Sequence, residues 1–344
     1  MRVLIIGGTG VISTGISRQL LARGDDLTLV NRGTRPLPFE GPIRSLQADR
    51  RDFARFEALI AQEAPWDCVI DMVCYQPDEA ESAIRAFRGH TKQYIFCSTV
   101  DVYTKPAARY PIREDADRRP KPSFPYAYAK GLCEEILWAA HARGDLPMTV
   151  IRPAQTYGEG GRLIHTLGFE TYFLDRIRRG MPIVVHGDGT GLWSVCHRDD
   201  VARAFVGAAG NEHALGRAYT VAGQEWLTWN RYYEGIAEAM HVPCPRLVHI
   251  PTEVLGRWMP ARALWCVENF SYINIFDTTA AERDLGFRYT IPWVEGARRA
   301  IEWLAENGQI ERAEDYPFYD RLIEAWDRAV ASLPSLGAPS AGNS

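Results

Sequence analysis

Three glycines within four positions, Gly7, Gly8 and Gly10, stand between an apolar run and a helical one. No other stretch constrains the fold of this chain as strongly. The run Val3-Leu4-Ile5-Ile6 is uninterrupted, as a strand buried on both faces should be. From Ile12 the spacing Ile12, Ile16, Leu20 predicts a helix. Strand, glycine turn and helix together present free backbone N–H groups and the positive end of a helix dipole to a phosphate. Glycine also serves ordinary tight turns, so it is the flanking strand and helix that carry the nucleotide reading.

The alternation continues. Strand signals at 26–31, 43–49, 67–74, 93–99 and 148–153 are interleaved with helical spacing at 53–62, 77–89 and 126–144. That order predicts an α/β fold, a doubly wound parallel sheet with right-handed crossovers. Its ligand belongs at the carboxyl ends of the strands. After Arg152 the pattern turns irregular, with helices expected at 171–180 and 230–240 and short strands near 182–187, 218–223 and 246–251. We therefore expect a nucleotide-binding domain over 1–160, rejoined by a segment at about 192–222. A smaller substrate-binding lobe covers most of 161–333, and 334–344 is expected to be a disordered tail.

Composition narrows the function. A net charge of −4 and 24% charged residues give no global basic field for nucleic acid. No apolar run reaches the ~18 residues of a membrane span, and the strand begins too early for a leader, so a cytoplasmic protein is expected. Seven cysteines lack CxxC spacing, and Cys68, Cys74 and Cys97 sit in strand-like runs as buried thiols. The eight histidines show no ligand spacing, and no metal is expected.

Tyr126 and Lys130 lie four apart on a predicted helix and so share a face. A nearby ammonium favours phenolate and lowers a tyrosine pKa from ~10. Phenolate is the base that hydride abstraction from an alcohol requires. A hydroxyl at the end of the strand in "FCSTVDVY" (96–103) can hold the same substrate oxygen.

With "GGTGVIS", "STVDVY", "YAYAK", "IRPAQTYG", "HRDDVARAF" and "DTTAAERDLGF", the chain from Met1 to about Glu306 resembles the extended short-chain dehydrogenases/reductases of the NAD-dependent epimerase/dehydratase family, the nucleotide-sugar-modifying type. "GGTG" with "VNRG", "KQYIFCSTVDVY" and "GDGTG" is similar to a narrower branch that includes chloroplast stem-loop RNA-binding relatives. The resemblance implies a Rossmann-type sheet, an NAD or NADP cofactor, a sugar or nucleotide-sugar substrate and a homodimer; with neutral Asn31 followed by Arg32 at the end of the second strand, NADP is slightly preferred. It makes Tyr126 the catalytic base, Thr99 the hydroxyl on the substrate oxygen, and Lys130 the residue that binds the nicotinamide ribose and keeps Tyr126 ionised. Tyr128 is set aside because Leu132, not lysine, follows four residues later. Gly7 and Gly10 would face the pyrophosphate, joined by Thr9, Val11 and Ile12. Asp49 and Arg50 would lie near adenine, Met72 and Val73 beside its ribose, and Pro153 and Ala154 against the carboxamide. Gln155 would reach the substrate.

Four positions depart from the pattern. Ser13 replaces a third glycine and is expected to loosen helix–strand packing. Asn31, followed by Arg32, stands where an acidic residue would bind the ribose 2′-hydroxyl. Val100-Asp101 replaces the Asp-Glu pair of the dehydratases, leaving Asp101 as either a second acid/base group or a solvated loop carboxylate. Trp193 stands where nucleotide-sugar enzymes place a diphosphate-clamping arginine; it can cover a sugar ring, stack on a base or pack under the lobe. Arg162, Arg176 and Arg198 are the candidates to replace that clamp. The expected function is NAD(P)-dependent sugar epimerisation or oxidoreduction through a transient ketone. The alternatives are a dehydrogenase or reductase of a non-nucleotide sugar and a silent RNA-binding protein on the same fold.

Overall fold

The computed structural model describes residues 1–34 and 36–334, so the expected tail lies, from residue 335 on, outside the described residues. Six strands of the first half, β1 (Arg2–Ile6), β2 (Asp26–Asn31), β3 (Ile43–Gln47), β4 (Cys68–Asp71), β5 (Tyr94–Cys97) and β6 (Met148–Pro153), join β7 (Arg217–Val221) in one sheet. The order is β7-β6-β5-β4-β1-β2-β3, and every pairing is parallel. Strands β4, β5 and β6 are buried at every residue and are mainly apolar without alternation, with Asp71, Thr149 and Arg152 as buried polar exceptions. Edge strand β3 is half exposed and correspondingly mixed. Helices α1 (Val11–Arg23) and α5 (Arg198–Ala208) cover one face, placing Ile16, Leu20, Val201 and Phe205 on it. Helices α2 (Phe53–Glu63), α3 (Pro77–Phe87) and α4 (Pro125–Ala142) cover the other with Phe56, Ile84 and Leu137. The strand order reverses between β1 and β4, so the crevice at their carboxyl ends opens beside Gly7.

Ser13 does not loosen this junction. Its hydroxyl donates to the Gly7 carbonyl at 2.8 Å and accepts the Gly10 N–H at 2.8 Å, so it ties the turn to α1 where a glycine would only fit.

The remaining chain builds a second core of aromatic residues. Trp229, Tyr232 and Trp293 are almost wholly buried, and both indoles find carbonyl partners, Phe270 and Tyr232, at 3.1 Å. Helices Tyr172–Arg178, Trp229–Ala239, Trp293–Glu306 and Phe318–Ala331 surround it, with a parallel pair of strands, Ile183–His186 and Leu247–Ile250. Helix α5 meets the short helix Thr279–Leu285 backbone to backbone: a Cβ on Gly207 would stand 1.9 Å from the Leu285 carbonyl oxygen.

One polar network runs through the interior beneath the strand ends. Glu134 of α4 accepts from Arg152 of β6 at 2.8 and 2.7 Å and from the Ser98 hydroxyl at 2.5 Å. Arg152 also donates to the Tyr103 hydroxyl at 3.0 Å, which bonds Thr220 of β7 at 2.7 Å. Arg152 and Glu134 are 0% and 2% exposed, so removing either leaves a buried charge. Glu134→Ala should destabilise the fold by ~3–5 kcal/mol, read as a lowered midpoint in urea unfolding.

Candidate active site

Two cavities of about 300 and 340 Å³ flank Val73 at the carboxyl ends of the strands. Gly7, Gly10 and Val73 line both. Gly7 holds φ +85°, and a Cβ there would meet Val73 at 2.4 Å, so the turn admits only glycine. The first cavity extends over Val11, Ile12, Met72, Pro153, Ala154 and Gln155 toward Thr99, Tyr126 and Lys130. The second extends past Thr9, Asn31, Arg32, Asp49 and Arg50. The amide nitrogen of Asn31 is buried without a partner in the protein, and the first turn of α1 presents its N–H groups to the same crevice. These features fit a dinucleotide laid across the glycine turn, its two ends in the two cavities.

The structure brings Thr99, Tyr126 and Lys130 to one wall. Thr99 follows the end of β5, and Tyr126 and Lys130 face it from the first turns of α4. Lys130 is buried, and its ammonium donates to the Cys74 and Cys97 carbonyls at 2.8 Å each. The expected lowering of the Tyr126 phenol is not what this arrangement produces. Desolvation pushes it well above its ordinary value, and the Asp101 carboxylate pushes it further. Lys130 is held by the Cys74 and Cys97 carbonyls rather than turned to the phenol.

Asp101 is not a solvated loop carboxylate. Only 10% of its side chain is exposed, and it accepts from the Thr99 hydroxyl at 3.1 Å and from Lys105 at 3.2 Å. Arg50 lines the second cavity but aims inward, with its guanidinium on Asp71 at 2.5 Å and on the Glu79 carbonyl at 2.7 Å. It is therefore a strut of the cavity wall, whereas Arg32 is exposed on the rim. Asp49 accepts the Arg51 N–H at 2.9 Å, which shapes the loop beneath that end.

Trp193 is 3% exposed and packs against Trp229 and Phe270, ring centres 5.1 and 5.3 Å away, while one part of it lines the first cavity. Both packing under the lobe and lining the cavity thus apply. Of the arginines considered as its substitute, Arg176 is bound to the Pro182 carbonyl and Asp320, Arg198 to Glu159, and Arg162 is exposed away from the cavity lining. The cavity also recruits residues that no motif announces: Phe169, Ser194, Trp265, Asn269 and Asn274. Trp265 packs tilted against Tyr126 with ring centres 5.5 Å apart, and Phe169 meets Trp265 edge-on at 5.1 Å. Their contribution depends on how the second lobe folds back, and irregular loops carry no periodic signal of that.

Glu159, His197 and Asp199 cluster beside α1 with metal-like proximity. His197 accepts the Asp199 N–H on Nδ1 at 3.2 Å, which leaves its Nε2 proton toward Glu159 at 3.3 Å. Arg198 lies 3.0 Å from the same carboxylate oxygen, and these contacts pull Glu159 down to about 2. A guanidinium occupies the place a cation would take.

Residues 3–222 match the family model described as the NAD dependent epimerase/dehydratase family. The chain belongs to that family. Like other members of this epimerase/dehydratase family it is an enzyme that works with a nicotinamide cofactor. It is 28% identical over 320 residues to 2′-dehydrokanamycin reductase of Streptomyces kanamyceticus, covering 91% of this chain and 87% of that one. It is 29% identical over 262 residues to the chloroplast stem-loop binding protein of 41 kDa b of Arabidopsis thaliana, covering 72% and 65%. Its fold matches a crystal structure of UDP-glucose-4-epimerase from Stenotrophomonas maltophila with bound NAD and formylated UDP-arabinopyranose, at a TM-score of 0.73 and 19% identity, covering 90% and 100%. No helix among the described residues is long and apolar enough to cross a membrane.

Proposed function

We propose that this epimerase/dehydratase-family enzyme oxidises or reduces a sugar-ring carbon, with a transient or released ketone. The observation that carries the reading is the convergence of Thr99, Tyr126 and Lys130 on one cavity continuous with the glycine turn. A bound nicotinamide supplies the hydride acceptor or donor. Tyr126 takes the proton of the substrate alcohol, or returns it to the ketone. Thr99 holds the same oxygen, and Lys130 fixes the cofactor side of the wall. Re-reduction of the ketone from its other face gives epimerisation; release gives net oxidation. Tyr126→Phe should lower kcat by roughly 10²–10⁴-fold while leaving cofactor affinity within about twofold, as measured by initial rates and by fluorescence titration.

The cofactor is NADP(H) in this proposal. The Asn31 amide carries no charge to repel a 2′-phosphate, and Arg32 on the same rim can pair with one. Arg51, exposed on that rim 3.6 Å from Glu79, adds a second cation. Titration should give the lower Kd for NADPH, and Arg32→Ala should raise it about tenfold, a loss of ~1.4 kcal/mol, without moving NADH.

The substrate is held with little help from a diphosphate. Among the described residues lining the first cavity, Asp101 and Lys130 are the only charged ones, and Lys130 is committed to two carbonyls. What remains is aromatic and amide surface from Trp193, Trp265, Asn269 and Asn274, suited to ring faces and hydroxyls. The similarity across 91% of the chain to a reductase named for 2′-dehydrokanamycin rather than for a nucleotide sugar supports the same reading. Calorimetry with UDP, TDP, GDP and CDP should show no binding tighter than about 1 mM; micromolar affinity for any of them overturns this part.

A further inference from the structure

Two residues that line the first cavity each carry a buried polar atom with no partner in the protein: the indole Nε1 of Trp193 and the amide Oδ1 of Asn274. Both side chains are almost wholly buried. They stand side by side, joined by a parallel bridge in which the Asn274 N–H donates to the Leu192 carbonyl at 2.8 Å. Neighbours across such a bridge present their side chains to the same face. Each is held in one orientation. Trp193 packs tilted against Trp229 and edge-on against Phe270. The Nδ2 of Asn274 spends its two protons on the Asn269 and Tyr272 carbonyls, at 3.1 and 3.0 Å. Turning the amide over would set its oxygen against those two carbonyls, so Oδ1 is fixed as an acceptor.

A buried donor and a buried acceptor, left open side by side, describe the group that belongs between them. An indole N–H only donates and an amide oxygen only accepts. A hydroxyl satisfies both through one oxygen. A phosphate oxygen only accepts, and it would bring its charge against Oδ1. An ammonium only donates and leaves the indole N–H open. An ether oxygen accepts alone, and a methylene does neither. We propose that Trp193 and Asn274 form a subsite that reads one free hydroxyl of the substrate sugar, other than the hydroxyl that reacts at Thr99 and Tyr126. The inference rests on the first cavity being the place where a sugar is oxidised or reduced.

Selectivity follows from desolvation. A sugar that lacks this hydroxyl leaves the N–H and the C=O unpaired beneath it, whereas in water the same sugar loses nothing. Such a site rejects the deoxy sugar, and the sugar methylated on that oxygen, more strongly than an apolar pocket rejects a lost methylene. Charge does not compete for the role. Asp101, which also lines the cavity, is tied to Thr99 and Lys105, and Lys130 is tied to two carbonyls.

The test is an equilibrium one. The full chain is loaded with NADPH or NADH, whichever binds the tighter, so that an added alcohol is not turned over. The probes are the methyl glycosides of the D-aldohexopyranoses, followed by the monodeoxy and mono-O-methyl derivatives of any that binds. The indole N–H resonance of Trp193, assigned by its loss in Trp193→Phe, reports contact by NMR. At least one glycoside should move this resonance saturably, and removing one of its ring hydroxyls should weaken binding about tenfold or more. By calorimetry, Trp193→Phe should weaken the parent glycoside about fivefold and leave that deoxy derivative within about twofold of wild type. No shift with any glycoside, a shift that no deoxy derivative weakens, or equal losses for parent and deoxy glycoside in Trp193→Phe overturns the subsite. A crystal structure of the wild-type complex needs no variant, and it should place the hydroxyl oxygen within about 3.2 Å of both Trp193 Nε1 and Asn274 Oδ1. Any other group there overturns the subsite too. The underlying reading fails separately: unchanged turnover in Tyr126→Phe removes the proposed chemistry and leaves these equilibria as they are.

Discussion

The buried pair of Glu134 and Arg152 holds the working parts of this enzyme in register. Glu134 lies one turn beyond Lys130 on α4, which itself lies one turn beyond Tyr126. Its carboxylate grips the Ser98 hydroxyl, next to Thr99, and the Arg152 guanidinium from β6. One ion pair thus fixes the helix that carries the phenol and the ammonium against the two strands that end beneath them. A hydrophobic contact of the same size would pack as well but would not set the rotation of α4 about its axis. Charge-assisted bonds with fixed geometry do that.

Electrostatically, the cleft is quiet where substrate would lie. Its arginines face elsewhere: Arg50 into the wall, Arg198 onto Glu159, Arg176 onto Asp320. The two charges that remain, Asp101 and Lys130, are each tied to named partners. Recognition in such a space depends on shape and neutral hydrogen bonds. Consistent with this, Trp193 Nε1, Ser194 Oγ and Asn274 Oδ1, on residues that line it, are buried without partners in the protein.

Much of this was legible in the sequence, and the reasons are local. The glycine turn, the alternation of strands and helices, and the four-residue spacing of Tyr126 and Lys130 each depend on a few neighbouring residues. The state of Tyr126 did not follow from Lys130 alone, because the burial and the carboxylate that set it come from other segments. Arg50 sits at the motif position expected for adenine, yet Asp71, an acid 21 residues away, claims its side chain. Phe169, Trp265, Asn269 and Asn274 reach the cleft through the path of the second lobe, and neither spacing nor composition encodes that path.

The sheet is finished late. Strand β7 lies beside β6, yet more than sixty residues separate them, and the segment between contains cap elements such as Tyr172–Arg178 and Ile183–His186. During synthesis, β6 therefore leaves the ribosome with an open hydrogen-bonding edge, and that edge stays unpaired until residues 217–221 follow. An uncovered apolar strand is a template for other chains. The order of the polypeptide thus exposes the nascent chain to association with its neighbours during that interval, a hazard that disappears from the finished molecule.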